Sequence, residues 1–398
     1  MPMSQDRPEE LARLLEIRRE IPAVGAAAYL NCGTAGPLPR RAVEAMQRVL
    51  EEELQEGRIR PQVFETTAVV REELRGSLAR RLTCDPGEVA LTARTTDGMN
   101  VAIWGLPLQP GDEVLTTRHE HPGLLVPLAA AARVRGISVR LVDWPQERPD
   151  LAIEAFERAL TPRTRLLAFS HVLWTNGAVL PVREIAERAH AAHALVLVDG
   201  AQSAGAIPLD LSTLGADFYA LPGQKWLLGP EGTGAFYAAR DAQAVCLPSF
   251  TGYLSAAGVD PTAAYFLPMA GARRYEVGSA LPAALAGQLE SLRWQEEVGV
   301  GYALGRIAAL GGELRAAIAE VPGVEVLTPQ STAPSGIVSF RVAGLSAVDA
   351  AQQLQEQGLL VRHLPEPHAA VRVAAGFYVL REELAHLVAA VAALAGAA

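Results

Sequence analysis

The chain has few cysteines, few aromatic side chains and no long apolar run. Cys32, Cys84 and Cys246 are odd in number and widely spaced, which excludes a disulfide framework and a four-thiolate metal site. The apolar C-terminal stretch LVAAVAALAGAA is too short to cross a bilayer. The opening MPMSQDRPEE is polar and acidic where a secretory leader would be apolar. Together these features give the expectation of a cytoplasmic protein in a reducing setting, without a membrane partner. A formal net charge of −9 argues against a nucleic-acid partner, because phosphate backbones reward a basic face. The histidines do not by themselves make a metal site, since one needs close carboxylate or thiolate partners that sequence distance does not establish, and no metal is expected. GPEGTG at 229–234 lacks the lysine-hydroxyl ending of a nucleotide-binding P-loop.

A chain of 398 residues with 50% hydrophobic composition can bury a large core and favours one large domain plus a smaller one. Leu11, Leu14 and Leu15 recur at helical spacing among charges, which predicts a helix over residues 7–20. The turn-rich YLNCGTAGPLP follows, and PRRAVEAMQRVLEEELQEG then resumes a long amphipathic helix. From about residue 88 short apolar runs alternate with helical ones. VALTARTTDGMNVAIW, DEVLTTRHEHPG, ISVRLVD, TRLLAFSHV and ALVLVDG supply strand candidates. This alternation predicts an α/β fold with a mostly parallel sheet, whose strand ends gather polar residues on one edge. The expected division is an N-terminal helical arm at 1–24, a large domain at 25–280 and a smaller α+β domain at 281–398, where VEVLTP, GIVSFRV, LLVRHL and VRVAAGF alternate with helices.

Several polar residues fall where such strands end. Lys225 lies between the strand-like ADFYAL and the Gly/Pro-rich LLGPEGTG. Desolvation and neighbouring positive charge can make such an amine fit for imine chemistry, and the plain alternative is a solvated loop lysine. Asp199 ends LVLV, where it can pair with a protonated pyridine nitrogen, cap a helix or bind a metal. Gln202, three residues on, can reach the same ligand. Thr95, Thr96 and Gly98 in ARTTDGMN stand at a helix start suited to phosphate or to a simple cap. His121 in TTRHEHPG can stack on an aromatic ligand or move a proton, with His119 as its local rival, and His171 in AFSHV offers another ring nitrogen.

The order of TARTTDGMN, EHPGLLVP, SHVLWTNG, LVLVDGAQSAG, GQKWLLGPEGTGAFY, ARRYEVGS and VRVAAGFY resembles the class V aminotransferase family of pyridoxal-phosphate enzymes over about residues 25–390. That family includes cysteine desulfurases, selenocysteine lyases, kynureninases and isopenicillin N epimerase-like proteins. The resemblance implies the type I aminotransferase fold, with a seven-stranded large-domain sheet and a homodimer acting on a small amino acid. It implies that Lys225 carries pyridoxal 5'-phosphate covalently, Asp199 contacts the pyridine nitrogen, Gln202 the phenolic oxygen and His121 the ring face. Thr95 and Thr96 then serve the phosphate, and Ser279 reaches the neighbouring subunit's site. Arg362 resembles the substrate-binding arginine of the desulfurase-like branch, and Arg372 another common family arginine.

This chain departs from the family pattern in ways that affect the chemistry. It reads Pro222, Gly223, Gln224 where serine, glycine and histidine commonly precede the lysine, so a hydroxyl and a backbone donor are lost and anchoring leans on the threonines, Gln224 and Ser279. His171 stands where an asparagine often approaches the phenolic oxygen. GLLVRHLPEPHAAVR contains no cysteine, which argues against a persulfide relay. The expected activity is that of an aminotransferase or an epimerase-like enzyme. A carbon–sulfur or selenocysteine β-lyase without a persulfide cysteine, and a catalytically silent scaffold, are the alternatives.

Overall fold

The computed structural model describes residues 5–397. Seven strands form the main sheet: β1 Val89–Thr92, β2 Glu113–Thr117, β3 Ser138–Val142, β4 Thr164–Ser170, β5 Leu195–Asp199, β6 Phe218–Pro222 and β7 Gly234–Ala238. Their spatial order is β1–β7–β6–β5–β4–β2–β3. Strands β2 to β6 run parallel, and β7 is antiparallel to both β6 and β1. Strand β1 therefore points the same way as the parallel set, and β1 to β6 bring their C-terminal ends to one edge.

The two-residue strand period sorts side chains to opposite faces of this sheet. Leu115, Leu167, Phe169, Val196 and Val198 join one buried cluster. Their chain neighbours Val114, Leu166, Ala168 and Leu197 join another on the opposite side. Helices Thr95–Gly105, Pro122–Arg135, Ala152–Ala159 and Val182–Ala191 make the crossovers. Only Val89–Thr92 of the expected strand stretch 89–104 is extended, and the helix begins at Thr95. A Cβ at Gly98 would overlap the side chains of Ala220 and Phe236, so this residue lets the helix lie directly on the sheet.

A second sheet, antiparallel and four-stranded, is ordered Val324–Val326, Ile337–Val342, Ala370–Ala374, Arg362–Leu364. Helices Val300–Ala319, Ala347–Glu356 and Arg381–Ala397 share its core. The N-terminal helix Pro8–Arg19 docks on this smaller body through ion pairs: Arg306 and Arg381 hold Asp6 and Glu10, and Arg18 holds Glu383. Strand Ala28–Tyr29 then pairs in parallel with Leu359–Leu360. The hairpin Ala256–Asp260/Tyr265–Pro268 is a further element that the residue pattern did not announce. Among the described residues no helix is long and apolar enough to cross a membrane.

Candidate active site

The C-terminal edge of the main sheet opens into a cavity of about 200 Å³, which also receives side chains from the smaller sheet. Asp199 closes β5 and is buried. One carboxylate oxygen accepts the Ala201 N–H at 2.8 Å, and the other has no partner among the described residues. Burial raises its pKa, while the Ala201 N–H and the Lys225 charge act the other way.

Lys225 follows β6 in a closed turn. The Gly223 N–H donates to the Thr233 carbonyl at 2.7 Å, and the Gly229 N–H donates to the Gly223 carbonyl at 2.9 Å. Gln288, from helix Pro282–Val298, fills the space that side chains at 223 and 229 would need. Ser291 of the same helix donates to the Leu227 carbonyl at 2.8 Å. The lysine turn is thus braced from behind, and the Lys225 amine has no hydrogen-bond partner among the described residues and faces the cavity. Burial lowers its pKa to about 8, and the Arg372 and Arg362 charges add to this against the opposing pull of Asp199.

His121 caps helix Pro122–Arg135, its Nδ1 accepting the Gly123 N–H at 3.0 Å, which leaves the ring proton on Nε2. Partial burial and the charges of Lys225, Arg362 and Arg372 push its pKa down to about 4, so the ring is neutral at pH 7. Trp174 packs edge-on against it with ring centroids 5.4 Å apart. His119 lies apart from the cavity lining, packed against Trp144 and His368.

The two arginines that competed for the substrate's carboxylate lie together. Arg362 and Arg372 are directly opposed on adjacent antiparallel strands. Such like-charged pairs destabilise a sheet unless something else engages them. The Arg372 guanidinium donates to the Trp174 carbonyl at 3.1 Å, and both arginines donate to the Thr34 hydroxyl. Neither has a carboxylate partner among the described residues, and burial followed by the Arg362 charge lowers the Arg372 pKa to about 9.

The remaining expected residues divide into two groups. Thr95 and Thr96 stand in the first turn of their helix and line the cavity, as do Gln202 and Gln224. The Gln202 amide donates to the Gly33 carbonyl at 2.8 Å and accepts the Trp226 indole N–H at 3.0 Å, which leaves one N–H free. Gln224 Oε1 is buried without a partner. His171 and Ser279 do not line this cavity. The His171 Nδ1 sits 3.0 Å from the Tyr219 hydroxyl, and Ser279 lies in a separate cleft, bonded to the Tyr253 hydroxyl at 2.6 Å.

The residues present fit pyridoxal phosphate. The cavity offers an unpartnered amine for the aldehyde, a buried carboxylate oxygen for the ring nitrogen, and a helix N-terminus with two hydroxyls for the phosphate. The residue-by-residue reading missed Thr34 and Trp174, although both stand inside motifs that it singled out. It also passed over the plainest signal, for Lys225 is the only lysine in the chain.

No cysteine lines the cavity. The Cys32 thiol is buried beneath the lysine turn, 3.7 Å from the Lys225 carbonyl, and burial pushes its pKa up to about 12. Cys84 and Cys246 are likewise raised by burial, to about 12 and about 11.

The family profile described as Aminotransferase class-V matches residues 28–384. The chain is 34% identical over 381 residues to the Isopenicillin N epimerase of Streptomyces clavuligerus, covering 92% of this chain and 94% of that protein. It is 30% identical over 353 residues to a probable cysteine desulfurase of Methanothermobacter thermautotrophicus, covering 88% and 87%. Among solved structures, the complex between the cystine C-S lyase C-DES and its reaction product cysteine persulfide is similar with a TM-score of 0.88. That match has 30% identity and covers 94% of this chain and 99% of the other.

Proposed function

The chain belongs to the class V aminotransferase family and is a pyridoxal-phosphate-dependent enzyme; we propose that it removes the α-proton of a small amino acid, with transamination or epimerisation as the outcome according to where a proton is then returned. One observation carries this reading: the chain's only lysine opens into the same cavity as Asp199 and an arginine pair that has no counterion among the described residues.

Bound pyridoxal phosphate supplies an aldehyde that condenses with amines and a ring that accepts electron density from a substrate's α-carbon. Lys225 would hold the aldehyde and, as a neutral amine, would serve as the base that takes the α-proton. Its lowered pKa, about 8, keeps a useful fraction unprotonated near neutral pH. Asp199 would serve the ring nitrogen and favour its protonated form. That positive charge in turn offsets the burial that otherwise disfavours the carboxylate. The free N–H of Gln202 would serve the phenolic oxygen, and the neutral His121 would serve the ring face. Thr95, Thr96 and the helix start receive the phosphate, and Pro222 contributes no donor there.

Arg362 and Arg372 together take the α-carboxylate, since a guanidinium fork matches a carboxylate and the two charges have no anion among the described residues. The high thiol pKa values argue against a persulfide relay through any of the three cysteines. We further propose a homodimer in which Ser279 serves the neighbouring subunit's phosphate.

A β-lyase reaction is the second reading, favoured by the likeness to the C-S lyase C-DES. Incubating the cofactor-loaded enzyme with a panel of amino acids in deuterated water separates the two. Keto-acid formation, or inversion with deuterium at the α-carbon, supports the leading reading. Release of sulfide or persulfide from cysteine or cystine, without α-exchange of other amino acids, contradicts it.

A further inference from the structure

The segment Asn31–Gly36 ties the smaller sheet to the lysine turn. On one side the Ala374 N–H donates to the Leu30 carbonyl at 2.8 Å, and the Cys32 N–H donates to the Ala374 carbonyl at 3.1 Å. On the other side the Gly36 N–H donates to the Gln224 carbonyl at 2.7 Å. Thr34 sits between these anchors. Its hydroxyl oxygen accepts from Arg362 Nη1 at 2.9 Å and from Arg372 Nη2 at 3.1 Å, and it donates to Asn31 Oδ1 at 2.8 Å.

A hydroxyl has one proton and two lone pairs, so the hydrogen-bonding capacity of Thr34 is fully used. It therefore has nothing left for a ligand of its own. What it does is fix where two mutually repelling cations meet, without neutralising either. Arg372 Nη2 also donates to Asn31 Oδ1 at 3.4 Å, and its Nε is buried without a partner among the described residues. Neither arginine has an ion-pair partner among the described residues, and both line the cavity where an anion can meet them.

We propose that Thr34 is a positioning residue for the substrate's carboxylate: it pins the Arg362 and Arg372 guanidiniums to one point, so that both grip a single α-carboxylate. This role rests on the amino-acid reading above and sharpens it. The enzyme then selects amino acids over amines that lack the carboxylate, and it does so through a residue that does not touch the substrate. The backbone links of this Asn31–Gly36 strap to the lysine turn set the distance between that grip and Lys225.

The test uses the cofactor-loaded enzyme and a matched pair of probes. 2-Methylalanine carries an amine and an α-carboxylate but no α-hydrogen, and isopropylamine is the same amine without the carboxylate. Each is titrated against the absorbance of the bound cofactor in the wild type, Thr34→Val and Thr34→Ser. Thr34→Val is expected to weaken 2-methylalanine by about tenfold or more while leaving isopropylamine unchanged, as loss of a hydrogen bond to a charged group predicts. Thr34→Ser restores the affinity to within about threefold, because the hydroxyl returns.

Wild-type affinity of Thr34→Val for 2-methylalanine overturns the proposal, and so does an equal loss for both probes. Borohydride fixation of the cofactor in each variant separates a carboxylate effect from a loading defect. A loaded wild-type enzyme that responds to neither probe refutes the amino-acid reading itself, and this role with it.

Discussion

Lys225 owes its chemistry to three neighbours that pull in different directions. Burial and the paired arginines favour the neutral amine, Asp199 favours the charged one, and burial wins, leaving a pKa of about 8 against an ordinary 10.5. Only the neutral amine attacks an aldehyde. Covalent loading of the cofactor-free protein should therefore speed up as pH rises and level off above about 8. Stopped-flow absorbance at a fixed cofactor concentration measures this directly, and a rate still climbing towards pH 10 would mean that the lysine is not desolvated as described. Linkage has the same sign. Because the folded protein binds this proton less tightly than the unfolded chain, the lysine's contribution to stability should rise as pH climbs from about 8 to 10.5.

At the scale of elements, the site depends on close packing between the strap, the lysine turn and the helix behind it. A Cβ at Gly36 would overlap the Lys225 carbonyl oxygen and the Leu228 side chain. Gly36→Ala should lower stability by about 1–3 kcal/mol through overpacking, and it should weaken cofactor retention as well, since the same shift moves the lysine. Thermal unfolding together with the cofactor content after dialysis reads both effects. An alanine variant with the wild type's melting temperature and cofactor content would place the strap away from the turn.

The parts visible in the sequence were those carried by local pattern. Leu195–Asp199 and Thr164–Ser170 are buried parallel strands, and such strands read as continuous apolar runs. Asp199, Thr95 and Thr96 stand at the ends of elements that periodicity marks. Gly234–Ala238 escaped the residue pattern because it begins in a glycine-rich turn. The meeting of Thr34 with Arg362 and Arg372 spans more than three hundred residues and is made by pairing across the smaller sheet, which no local pattern encodes. His171 looked like a cavity residue because it follows a strand end, but its ring packs edge-on against Tyr219 and bonds the phenol hydroxyl.

For the whole molecule, Ser279 is the residue that one subunit leaves unexplained. It lines a cleft of about 970 Å³ next to the cavity, with Arg94 contributing to both. If Ser279 serves the neighbouring subunit, Ser279→Ala should weaken cofactor retention, and mixed dimers of Ser279→Ala with Lys225→Ala should regain one tight site per dimer. Retention in the mixture no better than in Ser279→Ala alone would assign Ser279 to its own subunit.

The central claim is that this enzyme holds its cofactor covalently through Lys225, and one lysine in the chain makes the test unambiguous. Borohydride reduction of the loaded protein followed by peptide mapping should fix one phosphopyridoxyl group per chain, on the peptide containing Lys225, and none in a folded Lys225→Ala variant. A modification confined to the N-terminal amine, or a cofactor that leaves after reduction, would contradict the account.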